Sequence, residues 1–118
     1  MNESNPCDAD LAELLALTVE VDAWGETRYL NHLGQRHRIH GPAVITHVGD
    51  QHWYQNGIRH RTGGPAIIKA NGVKWWFHNG ARHRTDGPAI EWSNSDKWWF
   101  LNDQELTEKE FNERISTI

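Results

Sequence analysis

Apolar and polar positions along this chain recur in blocks every 23 residues: an aromatic cluster, an Asn-Gly or related turn, a short basic stretch, a Gly-Pro step and an apolar run. Trp53, Trp76 and Trp99 hold one phase of that period, His37, His60 and His83 a second, and Gly41, Gly64 and Gly87 a third. The third copy reads WWFHNGARHRTDGPAIEW and the second HWYQNGIRHRTGGPAIIK. The first, RYLNHLGQRHRIHGPAVIT, carries one extra residue at its turn, and a fourth begins KWWFLNDQELT and stops. Self-similarity on this scale predicts a repeat architecture, which builds a surface rather than one chemical centre.

Within each copy the pattern predicts a β-hairpin. Asn56-Gly57 and Asn79-Gly80 supply the two positive φ values of a type I′ turn, and Gly34 suits the last position of a three-residue loop with a bulge. Counting outward from the turns sets Tyr54 opposite Arg59, Trp53 opposite His60 and His52 opposite Arg61. The third copy sets Phe77 opposite Arg82, Trp76 opposite His83 and Trp75 opposite Arg84; the first sets Leu30 opposite Arg36 and Tyr29 opposite His37. In the partial fourth copy Trp99 faces Leu106 beside Leu101, an apolar patch that marks the Trp and His face as the core. The other face collects Tyr54, Phe77, Trp75, Trp98 and the arginines, with cation-π pairs Tyr54–Arg59 and Phe77–Arg82 worth about 0.5–1 kcal/mol each when exposed. Some of these aromatics could instead lie beneath a terminal helix. The Gly-Pro steps reverse the chain, and Ala43–Ile45, Ala66–Ile68 and Ala89–Trp92 follow as short strands.

The ends read as helices. Asp10 and Glu13 resemble a capping box ahead of a Leu11, Leu14, Leu15, Thr18 stripe; Thr107 and Glu110 form a second box, with Leu106 and Phe111 as its staple and Ile115 and Ile118 extending the stripe. The expected layout is a disordered acidic tail over 1–9, a helix over 10–21, a repeat domain over 24–106 and a capping helix over 107–118. The expected fold class is mainly β, an antiparallel meander of tandem hairpins.

Composition refines this picture. Residues 1–26 carry a net charge of −7, residues 27–102 +6 and residues 103–118 −3, so a basic body lies between acidic ends. Such asymmetry suits an anionic partner or an acidic end folded back on the body. Cys7 is the only cysteine, which excludes an internal disulfide and fits a reducing, cytoplasmic setting. No apolar run reaches the roughly 18 residues of a membrane span, and the start MNESNPCDAD lacks the pattern of a signal peptide.

The segments NGIRHRTGGPA and NGARHRTDGPA, each preceded by an aromatic pair, resemble the MORN repeat, particularly its divergent variants in small bacterial and phage proteins. The resemblance spans about residues 24–106. It implies a single layer of stacked hairpins that acts in protein association, scaffolding or contact with lipid headgroups, some short variants being antitoxin-like, and it implies no catalytic residue. Where the common repeat has glycine after its histidine, this chain has Arg38, Arg61 and Arg84, a change in the charge and curvature of the sheet.

The eight histidines do not read as a metal site. His37, His60 and His83 are equivalents roughly 10 Å apart by strand spacing, too far for Zn–N bonds of about 2.0–2.1 Å, so they read as structural residues packed on tryptophan. No serine has a paired base, no glycine-rich phosphate loop precedes a helix, and Asp86-Gly87-Pro88 reads as turn chemistry. The sequence therefore points to a non-enzymatic protein without cofactor or metal. It would bind another protein, as an inhibitor, antitoxin-like protein or adaptor, through Tyr54, Arg59, Arg61, Trp75, Phe77, Arg82, Arg84 and Trp98, a combination enriched at interaction hot spots. The alternative is nucleic-acid or nucleotide binding through the same face by stacking and phosphate contacts. An open sheet edge or the aromatic face could also pair two copies. A membrane role has no basic amphipathic helix to support it.

Overall fold

The structure, a computed structural model, describes residues 6–117. The tail expected over 1–9 falls for residues 1–5 outside the described residues, as does Ile118; residues 6–9 begin a helix. That helix, α1 (Pro6–Leu15), starts earlier than the capping-box pattern suggested. Proline suits the first turn because its missing N–H has no partner there anyway. Asp10 thus lies inside the helix. The helix expected over 10–21 also ends early, since Thr18–Val21 is a strand, β1. Its Thr-Val-Glu-Val alternation and β-branched side chains favour extended backbone.

β1 pairs antiparallel with β2 (Thr27–Leu30). Beyond them come β3 (Val44–Ile45), β4 (Gln51–His52), β7 (Ile67–Ile68), β8 (Lys74–Trp75), β11 (Ile90–Glu91), β12 (Lys97–Leu101) and β13 (Gln104–Leu106), giving one nine-stranded antiparallel sheet in the order β1-β2-β3-β4-β7-β8-β11-β12-β13. The missing numbers are two hairpins, β5 (Tyr54–Gln55) with β6 (Ile58–Arg59) and β9 (Phe77–His78) with β10 (Ala81–Arg82), which leave the sheet at Trp53 and Trp76. Each aromatic strand is therefore in two halves, the first paired in the sheet and the second in a hairpin.

The hairpin registers agree with the turn count. Tyr54 pairs with Arg59, Phe77 with Arg82, Leu30 with Arg36 and Trp99 with Leu106. Both Asn56 (φ 50°) and Gly57 (φ 80°) occupy the left-handed region that a type I′ turn requires. Above the tryptophan the expectation fails. Trp75 lies opposite Ile67 and Ile90, not Arg84, and His52 lies opposite Val44 and Ile67, not Arg61. The apolar strand after each Gly-Pro step takes that place in the ladder, and Trp53 and Trp76 donate their N–H groups to the Ala66 and Ala89 carbonyls.

This pairing also moves the core. Trp53 is buried as expected, but Val44, Ile67 and Ile90 are buried too, and Ile67 and Ile90 share the face of Trp75 and Trp98 that was expected to stay wet. Ala89, Ile90 and Phe100 form one buried cluster, with Trp75, Trp76 and Trp92 packed on it. At the far end Leu101, Leu106 and Phe111 form a second, which seats α2 (Glu108–Ser116). Thr107 caps that helix: its hydroxyl accepts from the Glu110 N–H while the Glu110 carboxylate accepts from the Thr107 N–H. The opposite end of the sheet differs, because all four β1 residues are exposed and no strand pairs with its outer edge among the described residues.

Candidate interaction face

Successive hairpins hang on one another through a repeated set of bonds. The N–H groups of Asn56, Asn79 and Asn102 donate to Nδ1 of His37, His60 and His83 at 2.9–3.0 Å. Each bond spans 19 residues, from one hairpin to the next. Beside them Gly57, Gly80 and Asp103 donate N–H to the Arg36, Arg59 and Arg82 carbonyls. An Nδ1 that accepts carries no proton, so His60 and His83 bear their hydrogen on Nε2. Burial, with the nearby His78 ring adding to it, holds the pKa values of His60 and His83 below the usual value. The histidines read as structural residues act as acceptors for the next turn.

The Tyr29, Trp53 and Trp76 rings are covered by the arginines that follow those histidines. Arg38 lies 4.3 Å from the ring centre of Tyr29, Arg61 4.0 Å from Trp53 and Arg84 3.8 Å from Trp76. The other side of each guanidinium rests on the Gly-Pro step: Nη1 of Arg61 and Arg84 donates to the Pro65 and Pro88 carbonyls at 3.0 and 3.1 Å. Arg61 and Arg84, expected on the exposed face, are therefore half-buried clasps that hold the loop to the ring. Glycine leaves room for them: a Cβ on Gly87 would come within 2.8 Å of the Arg84 guanidinium carbon, which would have to shift. Gly87→Ala is expected to push Arg84 off Trp76 and to cost about 1–2 kcal/mol, the worth of a partly desolvated cation-π contact. Urea unfolding followed by tryptophan fluorescence would measure it.

The earlier arginine of each hairpin reaches forward. Arg36 lies over Tyr54, Arg59 over Phe77 and Arg82 over Phe100, at 5.7, 5.4 and 4.4 Å from the ring centres. Arg59 also covers its cross-strand partner Tyr54 at 4.9 Å and donates to the Tyr54 hydroxyl. The pairing of Phe77 with Arg82 thus holds in backbone register, whereas the Arg82 side chain stacks on the next aromatic strand. There its Nε also donates to Asp103 Oδ1 at 2.8 Å, which helps hold the Asp103 carboxyl below its ordinary range.

Four aromatic rings continue this face. Trp75 stacks on Phe77 at 6.1 Å, Trp92 meets Trp75 edge-on at 5.8 Å, and Trp98 meets Trp92 edge-on at 5.6 Å. Trp75 is a core-packing residue at the inner end of this row. Trp98 is its outer end, 44% exposed. Trp92 links the two and was missed in the sequence; its only signal was an indole where the other copies have Lys69 and Thr46. Trp98 also lines an open groove of about 370 Å³ with Lys97, Trp99 and Thr107. No family model matches the chain, and no curated protein or solved structure matches it. Among the described residues no three His, Cys, Asp or Glu side chains are placed to hold one metal ion, and no helix is long and apolar enough to cross a membrane.

The eight residues read as one binding face thus separate. Tyr54, Arg59, Phe77 and Arg82 form a half-exposed ladder of rings and guanidinium groups. Arg61, Arg84 and Trp75 are engaged internally, and Trp98 presents the most open ring of the set.

Proposed function

We propose that this chain is a non-catalytic protein-binding module of tandem MORN-like hairpins, acting in the cytoplasm as a small inhibitor, antitoxin-like protein or adaptor. The observation that carries this reading is the row Trp75–Trp92–Trp98, which runs from the core to an exposed indole. An aromatic anchor whose inner end is rigidly packed loses little freedom on binding, and tryptophan and arginine dominate interaction hot spots. The nucleic-acid alternative needs cations free to meet phosphates. Arg84 is paired with Asp86 and Glu91 and Arg82 with Asp103, so few of the hairpin arginines remain for that role.

Trp98→Ala is expected to reduce capture of the partner from a native-host extract by at least about tenfold, equivalent to the roughly 1.4 kcal/mol or more that a hot-spot truncation costs. The chain should remain folded with a moderately lower melting temperature, because the ring is 44% exposed and otherwise meets Trp92 edge-on. Quantitative pull-down with mass spectrometry reads the first and calorimetry the second; undiminished capture would refute the reading.

A further inference from the structure

The three Gly-Pro corners are equivalent in sequence but not in occupancy. At the first, the Glu13 carboxylate of α1 accepts from the N–H groups of Ile39 and His40 at 2.6 and 2.9 Å. At the third, Asp86 accepts from Arg84 Nε at 2.7 Å, and Glu91 reaches Arg84 Nη1 at 3.2 Å. At the second, Gly63 stands in the place of Asp86 and Ile68 in the place of Glu91. Arg61 has no acidic partner there among the described residues, and a Cβ on Gly63 would meet no atom within 4 Å. Burial lowers the affinity of this guanidinium for its proton, as expected for a partly desolvated cation without a counter-ion.

We infer that the open corner at Arg61 and Gly63 receives a carboxylate from an acidic side chain of a partner protein. The site deepens the protein-binding reading and rests on it. Gly63 has φ 82°, a conformation that neither His40 nor Asp86 adopts, so the ligand is held by the guanidinium and not by the paired N–H groups that hold Glu13. Towards the third corner the site opens into a groove of about 410 Å³ walled by Trp76, Phe77, His83 and the Arg84–Asp86 pair, whose charges offset each other, and it has room for the side chain that carries the acid. A charge-assisted bond between guanidinium and carboxylate is roughly twice as strong as a neutral one, and Arg84 with Asp86 shows the geometry such a pair takes on this scaffold.

The test is a nuclear magnetic resonance titration with an acetylated hexaglutamate peptide, following the Arg61 Nε–H and Gly63 N–H signals. Hexaglutamine and inorganic phosphate serve as parallel arms. Saturable shifts are expected with hexaglutamate and not with hexaglutamine, and phosphate should bind more weakly. Gly63→Asp adds a fixed negative charge beside Arg61 that repels an incoming carboxylate and is expected to weaken the peptide about tenfold or more; aspartate is among the residues that tolerate positive φ. Asp86→Gly is expected to open the third corner and bring the Arg84 Nε–H signal into the response. The inference is overturned if hexaglutamate gives no saturable shift, if hexaglutamine matches it, if a folded Gly63→Asp binds as well as the parent, or if phosphate binds more tightly. A failed titration leaves the Trp98 pull-down result intact, so the two readings fall separately.

Discussion

Phe100→Ala is expected to lower the unfolding free energy by about 3–5 kcal/mol, the usual cost of emptying a buried phenylalanine site. Phe100 is 2% exposed and packs with Ala89 and Ile90 under Trp75, Trp76 and Trp92. It also joins two kinds of structure. Its ring carries Arg82, and its carbonyl accepts the Arg84 N–H, so the third hairpin hangs on it. Against a total of about 5–15 kcal/mol for a domain, the loss removes a large fraction of the stability. Urea unfolding followed by both circular dichroism and tryptophan fluorescence measures it. Phe77 holds the equivalent place one hairpin earlier but is only half-buried, and Phe77→Ala should cost less than half as much. Equal losses would show that position in the array, rather than burial, sets the cost.

The second large effect is expected from acid. His60 and His83 accept backbone N–H bonds through Nδ1, and protonation removes that acceptor and leaves Asn79 and Asn102 without a partner. Their pKa values are lowered in the folded state, by burial first and by His78 second. Such a histidine contributes its stability in full above its unfolded value near 6.5. That contribution is lost as the pH falls through the lower folded value. Each bond is worth about 0.5–1.5 kcal/mol, and water reaching these part-exposed rings trims that figure. The two together should cost about 1–2 kcal/mol once the pH has fallen from 7.5 through both folded values. Asp86 and Asp103, whose pKa values are lowered by their arginine partners, lose their contribution only at more acid pH. Urea midpoints across that range read the effect. In His60→Asn with His83→Asn the side-chain oxygen can still accept but cannot titrate, so the slope between pH 7.5 and 5 should flatten; an unchanged slope would place the acid sensitivity elsewhere.

Features that depend on a few neighbouring residues were legible in the sequence. The Asn-Gly turns specify their own φ values, and a two-residue loop leaves one register, so the pairs Tyr54–Arg59 and Phe77–Arg82 follow from counting. The box of Thr107 with Glu110 is local in the same way. At the N-terminal end the misjudged features had a local signal that a stronger pattern hid. The leucine stripe after Asp10 masked both Pro6 as the true helix start and the alternation of Thr18–Val21.

The candidate site was legible only in part, because its geometry is made between copies. Nothing within one hairpin says that Arg82 turns to Phe100 rather than Phe77, or that His60 accepts from Asn79. Arg-x-x-Gly-Pro recurs at Arg38, Arg61 and Arg84, and that recurrence could have marked the clasps. Reading it required knowing that the Gly-Pro loop returns over the aromatic ring.

By itself, then, the chain determined its period, its turns, the register of its hairpins and the cap of its last helix, all of which arise from backbone preferences within a few residues. Only the tertiary structure decided which face of each strand is buried, which arginines are clasped and which ring stays open. Those outcomes depend on which strand takes the other edge of each ladder, and the partner strand lies well outside the segment that defines the hairpin.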